Sequence, residues 1–376
     1  MLPTNPLLPA RHRYRTIAIV VVSALAACAR ERVATSAPRP AAATIETAPA
    51  RLADTGLYAD FARRTVAADV LTFSPQYPLW TDGAAKQRWI ALPPGTAIDA
   101  SDVDLWCFPI GTRLWKEFAF ERAVETRFMA KRADGSWLYA TYVWNGDAND
   151  AVLAPDRGVR GVCATTDGQR HDVPGIVDCR LCHEGGRSPV LGFSALQLSP
   201  DRDPNAPHAT AARASDVDLR SLAARGLLAG IDAHWLRNPP RIAAANATER
   251  AALGYLHGNC SSCHNATGPL ARLGLRFDQP LGAPAPTPAI VSTVGVASQF
   301  TRGAATLRIA PGDPEHSVVA LRLRATDALT QMPPFGRHLA DRTAQALLTQ
   351  WIHDLAPTPA ALAGEAARSN PQPKER

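Results

Sequence analysis

Between Leu71 and Leu153 apolar and polar residues alternate with a period near two, in segments rich in Val, Thr, Trp, Tyr and Phe. That pattern predicts strands over Lys86 to Leu92, Leu105 to Phe120, Ala123 to Arg132 and Ser136 to Trp144. Between the last two, Ala133-Asp134-Gly135 supplies the Gly or Asp positions of positive φ that close a hairpin. Trp80, Trp89, Trp106, Trp115, Trp137 and Trp144 all fall in this stretch and read as core or cross-strand packing. Met129 shares strand parity with Glu125, Arg127 and Lys131, on the side opposite Phe128, and so is free to face something other than the β-core.

After Pro174 the pattern changes to short helical segments joined by Pro-rich and Gly-rich loops. A short amphipathic helix is expected over Asp218 to Leu228. Another is opened by Thr248-Glu249 and runs through Leu253 and Leu256, and a third spans Ser317 to Leu323. Asp341 is the expected N-cap of a last helix, Thr343 to Leu355, with Ala346, Leu347, Trp351 and Leu355 on one face. The fold class this predicts is α+β: an N-terminal antiparallel β-domain over 55–173, then a mainly α-helical part divided at 174–244 and 245–356.

The ends of the chain have a different character. Basic residues from Arg11 to Arg15 precede an apolar run, Thr16 to Ala27, that is short for a membrane span and reads as a secretory signal over 1–27. The run ends Leu25-Ala26-Ala27-Cys28, which resembles the lipobox of bacterial lipoproteins. That makes Cys28 the expected lipidated residue, with Ala29 after it favouring the outer membrane. Ala, Pro, Thr and Ser dominate 28–54, expected to be a flexible linker, and the tail 357–376 has the same composition. At 376 residues, 46% hydrophobic and 20% charged, the chain has enough apolar residues for two or three compact units. Its formal charge of +6 falls to +3 once Arg11, Arg13 and Arg15 leave with the leader, too weak a charge to point to nucleic acid.

Seven cysteines fit an oxidising compartment. Four lie in Cys179-Arg180-Leu181-Cys182-His183 and Cys260-Ser261-Ser262-Cys263-His264. In this spacing two thiols on one helical turn can add to the two vinyl groups of a porphyrin, and the His that follows reaches the iron. Two covalently attached haem c groups are therefore expected, with His183 and His264 as iron ligands. Zinc ribbons also use paired Cys-x-x-Cys, but with pairs roughly 15–20 residues apart and no need of a His directly after each. A redox dithiol would need one motif in a thioredoxin-like setting. Cys107 and Cys163 are left over, either as a disulfide or as two separate buried thiols.

The second motif lies in a context that resembles a class I cytochrome c domain over roughly Asn246 to Leu355. A helix leads into the motif, Thr267-Gly268-Pro269-Leu270 follows it, and Gln331-Met332-Pro333-Pro334-Phe335-Gly336 precedes a final helix. The resemblance implies Met332 as distal ligand opposite His264, and a soft thioether suits an iron that is to be kept reduced. The other reading of Met332 is packing. For the first motif the candidates are Met129, His171, His208, His234 and His257, each with a bland alternative. The chain from about Tyr77 to Leu355 is similar to exported bacterial two-haem c-type cytochromes. The residues that carry the similarity are Tyr77-Pro78-Leu79-Trp80-Thr81-Asp82-Gly83, Phe108 to Thr112, Val124 to Arg127, Tyr142 to Asn145, Pro174 to His183, Leu191 to Phe193 and Leu196 to Leu198.

The expected function is membrane-tethered electron transfer in the cell envelope, facing the periplasm, with redox proteins as partners and no nucleic acid. The alternative is a two-haem enzyme of peroxidase or oxygenase type, with an open distal position on the first haem. In that case Asp82, Lys86, Lys116, Glu125 and Arg127 would roof a pocket rather than form a solvated face. A redox-inert haem-binding lipoprotein is a third possibility.

Overall fold

Strict alternation of side chains in the predicted strands builds one twisted antiparallel sheet with a core on each face. In a computed structural model, which describes residues 44–355 except 166, 167 and 284, the sheet has strand order β3-β4-β6-β7-β8-β9. These strands are β3 (Leu71–Thr72), β4 (Ala85–Ala91), β6 (Arg113–Ala119), β7 (Ala123–Lys131), β8 (Trp137–Trp144) and β9 (Ala151–Leu153). Two-stranded pairings add β1 (Tyr58–Asp60) with β2 (Thr65–Val66), β5 (Ile98–Asp99) with β12 (Leu228–Ala229), β10 (Val159–Ala164) with β11 (Arg170–Val173), and β13 (Ala297–Arg302) with β14 (Ala305–Leu307). The β7–β8 hairpin turns at the expected Ala133-Asp134-Gly135, where Gly135 has φ of 84°. The strand expected to begin at Leu105 starts only at Arg113. Pro109 to Thr112 close a turn before it, with Gly111 at φ of 85° and the Thr112 amide donating to the Pro109 carbonyl at 3.2 Å.

Trp89, Trp115, Phe128, Tyr142 and Trp144 pack on one face of the sheet, against Leu52, Leu57 and the first described residues. Ile45 and Ala48 lie in that layer, the Tyr142 hydroxyl donates to the Pro49 carbonyl, and the Leu153 amide donates to the Ala50 carbonyl. Residues 44–54, read from composition as linker, are thus laid along the sheet. The opposite face carries Ile90, Leu114, Met129 and Tyr139, which pack with Phe73, Trp106, Phe108, Phe193 and Leu219. This is the period-two consequence of the pleat: Phe128 and Met129 belong to different cores.

The segment after Pro174 corrects the sequence expectation of a mainly α-helical c-type cytochrome region. The whole is a mixed, sheet-rich fold with few helices. Among the described residues the helices are α1 (Ile176–His183), α2 (Leu219–Ala224), α3 (Ala233–Arg237), α4 (Ala247–Cys260), α5 (Pro288–Thr293), α6 (Val318–Arg324) and α7 (Arg342–Asp354). Only α4 and α7, at 14 and 13 residues, exceed two or three turns. Between His183 and Leu219 there is neither helix nor strand. Pro189, Pro200, Pro204 and Pro207 punctuate that stretch, and each removes a donor the helix ladder would need. The helices that do form start where polar caps predict. Asp218 accepts from the Ser221 amide, Asn246 from the Glu249 amide and Asp341 from the Ala344 amide. On α7 the buried face is Ala344, Leu348, Trp351 and Ile352, with Ala346 exposed. The apolar stripe expected through Ala346 is therefore rotated by a little under a quarter turn: Trp351 is buried, Leu347 and Leu355 are partly buried against the same core, and only Ala346 falls outside it. Ala is weakly apolar, and the larger Leu348 and Ile352 decide which side faces α4.

The described residues all belong to one compact unit, and segments far apart in sequence share its cores. Tyr77 packs with Leu253, Leu256, Phe277, Leu348 and Trp351. Cys163 on β10 is a free thiol, so the anticipated bridge to Cys107 does not form. Cys163 faces His171 across the β10–β11 hairpin, whereas Cys107 bridges Asp99 beside β5. Cys28, the leader and the tail beyond residue 355 lie outside the described residues. Among the described residues no helix is long and apolar enough to cross a membrane.

Candidate functional site

The first motif is the C-terminal half of α1. The Gly175 amide donates to the Asp178 carboxylate at 2.9 Å to start the helix. A Cβ on Gly175 would lie 2.7 Å from the Asp156 carbonyl oxygen, so this entry needs a glycine. At the other end His183 Nδ1 lies 2.6 Å from the Pro189 carbonyl oxygen. A carbonyl can only accept, so Nδ1 carries the proton and Nε2 keeps its lone pair. Burial pushes the His183 pKa down to about 4, which holds the ring neutral, and Tyr139 packs against it with ring centroids 5.6 Å apart.

The second motif ends α4. Gly254 and Gly258 let the chain at Tyr77 lie on this helix, since a Cβ at either would overlap the Tyr77 ring or its carbonyl oxygen. Asn259 then fixes the same segment, accepting from the Trp80 amide at 2.8 Å and donating to the Pro78 carbonyl at 3.3 Å. Phe277 meets the His264 ring edge-to-face at 5.8 Å, and its amide donates to the His264 carbonyl. His264 Nδ1 is buried with no partner, and burial pushes this imidazole's pKa down.

The two motifs touch. The Cys182 and Cys263 thiols lie close enough to act on one another, which raises the first and lowers the second. Cys263 Sγ also lies 3.8 Å from the Leu181 carbonyl oxygen. Asn265, 8% exposed, donates from Nδ2 to the Gly185 and Ser261 carbonyls, both at 2.9 Å, and its Oδ1 accepts from the Thr267 and Gly268 amides. Gly185 and Gly268 are tight enough that a Cβ on either would overlap main-chain oxygen, of Ser262 or Gly185 respectively. Burial raises the Cys179 thiol and pushes Cys260 up to about 12.

Both motifs open on one cavity of about 1360 Å³, above the roughly 300–1,000 Å³ usual for a single small ligand. Its wall includes all four motif cysteines, His183, His264 and Met332. The Met332 loop is tied down from two sides. Arg337, 5% exposed, donates to the carbonyls of Met332, Ala325, Leu323 and Leu339. Asp82, 1% exposed and at φ of 44°, accepts from the His338 and Leu339 amides at 2.8 and 2.9 Å. The segment Tyr77 to Gly83 thus anchors both α4 and the Met332 loop, a role that residue type and spacing give no hint of.

Of the five candidates for the first motif, Met129 and His171 line the cavity. His208 is instead bonded through Nε2 to the Asp341 carboxylate at 2.9 Å, and His234 is exposed at the start of α3. His257 is not part of the cavity wall; its Nδ1 is buried and unpartnered, and burial pushes its pKa down to about 4. His338, which sequence reasoning did not single out, lines the cavity and pairs with Asp172 at 3.2 Å.

The sheet forms the polar wall. Glu125, fully buried, accepts from Arg127 Nη2 at 2.7 Å and lies 3.1 Å from His171 Nε2. Burial works against the Glu125 charge, but Arg127 and His171 outweigh it and hold its pKa below the usual carboxylate range. Among the described residues no three His, Cys, Asp or Glu side chains converge as a zinc tetrad would require. The donor set suits a covalently held porphyrin instead. It offers paired thiols on one turn, a following imidazole with Nε2 free, a thioether on the same wall and a large cavity. No protein-family model, curated protein or solved structure matches the chain.

Proposed function

We propose that this chain is an exported c-type cytochrome that carries two covalent haems and passes electrons within the cell envelope, tethered by a lipid on Cys28. The observation that carries the reading is the contact between the two Cys-x-x-Cys-His segments on one cavity wall. Haem, when bound, would supply one-electron redox chemistry; His183 at one motif and His264 with Met332 at the other would hold its iron. The chain's own residues do the positioning. Pro189 orients the His183 ring, Phe277 buttresses His264, and Arg337 with Asp82 holds the Met332 loop. Asn265 and the two close-packed glycines keep the attachment sites in contact, so that an electron need not cross a protein gap between them. The similarity from Tyr77 to Leu355 to exported two-haem cytochromes supports the same reading, with redox proteins as partners.

One observation favours the enzymatic alternative. His171 and the cations Lys116 and Arg127 line the same cavity beside His183, with the Glu125 carboxylate buried behind His171. An open iron position at the first motif would make that polar wall a substrate site. A pyridine haemochrome assay with resonance Raman on protein purified from an envelope fraction separates these. Two haems per chain, both low-spin, support the electron carrier. A high-spin fraction that binds cyanide supports the enzyme, and a count of zero overturns both.

A further inference from the structure

Arg88, Lys116 and Arg127 stand directly opposite one another on the adjacent strands β4, β6 and β7. Like charges in that relation repel, and burial sharpens the cost. The next row of the same face carries Lys86, Phe118 and Glu125. The Phe118 ring gathers three of the cations, with Arg127 at 4.1 Å, Lys116 at 4.8 Å and Lys86 at 5.8 Å from its centroid. Against these stands Glu125, which is already shared between Arg127 and His171, while Asp216 offsets Arg88 and Asp82 with Asp341 offsets Lys86, so that Lys116 in the middle of the row is the least compensated. Lys116 makes no hydrogen bond or ion pair among the described residues, and its electrostatic neighbours are three cations and that one carboxylate. Arg127 Nε is buried without a partner. A solvated surface does not explain the row, because Arg88 is 8% exposed and Arg88, Lys116 and Arg127 all line the central cavity. Left alone, such a row is relieved by losing protons, and burial does push the Lys116 pKa well down. An anion in the cavity relieves it without that loss.

We propose that Arg88, Lys116 and Arg127 form a carboxylate-binding site on the cavity wall beside the Cys179–His183 motif. The carboxylate is either a propionate of the attached porphyrin or a small soluble acid, and in the first case the proposal rests on the haem reading above. The site holds the group by charge-assisted hydrogen bonds from Lys116 and from the free Arg127 Nε, with Arg88 adding charge at the other end of the row.

The test compares the purified holoprotein with Lys116→Gln and Arg88→Gln. In haem-free protein without added acid, removing one of several facing cations relieves repulsion, so both variants there keep the wild-type melting temperature or exceed it. If a propionate is the ligand, its bending band in resonance Raman shifts in Lys116→Gln with nothing added. If a soluble acid is the ligand, acetate perturbs the wild-type Soret band and binds Lys116→Gln about tenfold more weakly or worse. Identical propionate bands together with identical acetate responses in all three proteins overturn the proposal. If the haemochrome assay finds no haem, the haem reading fails by itself. The site is then read from melting alone: acetate raises the melting temperature of the wild type and not of Lys116→Gln, and equal responses overturn it.

Discussion

Around Cys179–His183 three basic side chains of the sheet, Arg88, Lys116 and Arg127, face the cavity, and none of them is hydrogen-bonded to main chain among the described residues. Around Cys260–His264 the arginines come from α6 and the loops near it and are spent on main chain. Arg308 donates to the carbonyls of Leu273, Gly274 and Ser292, Arg322 to that of Thr330, and Arg337 to five carbonyls around Met332. The residue types are the same and the physical tasks differ. At the second motif arginine replaces missing secondary structure, satisfying carbonyls that a helix or strand would otherwise pair. At the first, the sheet already satisfies its own backbone, and the cations stand ready for a ligand.

The largest effect that would break this contrast is expected at Glu125, the carboxylate shared by Arg127 and His171 at the first motif. Glu125→Gln leaves a buried guanidinium without its counter-ion and should cost about 3–5 kcal/mol in urea unfolding. Its pH dependence has a definite sign. The folded carboxyl is held below the unfolded value, so its contribution is present above the unfolded carboxylate range and is lost as pH falls through the lower folded pKa. In Glu125→Gln that part of the acid limb should vanish; an unchanged limb would remove Glu125 from the account.

Arg337→Gln comes next. It strips the carbonyl contacts that hold the Met332 loop and should cost about 2–4 kcal/mol, whereas Lys116→Gln costs nothing measurable. Equal losses for the two would erase the distinction between structural and ligand-facing cations. At the seam, Gly185→Ala drives a Cβ into the Ser262 carbonyl oxygen, which has no flexible side chain to yield. About 1–3 kcal/mol is expected, measured by thermal melting against Gly146→Ala, whose Cβ meets nothing.

At neutral pH the smallest effect is expected at His257, in haem-free protein, where the change shows only on acidification. Its folded pKa of about 4 lies below the reference 6.5, so the neutral ring favours the folded state. That contribution is lost as pH falls from about 6.5 through about 4. His257→Gln should flatten the stability curve across that window.

Much of this arrangement is legible in the sequence because local rules govern it. The two Cys-x-x-Cys-His segments, the hairpin at Asp134-Gly135 and the caps Asp218 and Asp341 each depend on residues within a few positions. Met129 lies on the opposite face from Phe128, as strand parity predicts, because that placement needs only the pleat. What is not legible depends on partners far away in the chain. The Asp82 contacts with His338 and Leu339, the Gly254 and Gly258 fit to Tyr77, and the free state of Cys163 all follow from chain crossings that no local period encodes. The row of cations was visible as letters, but charged residues on strands ordinarily mark a solvated face. Only the register, with Arg88 opposite Lys116 and Lys116 opposite Arg127, makes it one row along the cavity wall. The mainly helical second half failed for a related reason: short periodic windows around Leu219, Leu253 and Trp351 do form helices, while the proline-punctuated chain between them does not extend them.

The central claim, that both segments carry covalent haem, is tested most directly by the intact mass of protein matured in a host with c-type cytochrome assembly. The measurement compares the wild type with Cys179→Ala/Cys182→Ala and with Cys260→Ala/Cys263→Ala. The account predicts the mass of two haems on the wild type and of one on each double variant. A wild-type mass with no haem added, or double variants that match the wild type, would contradict it.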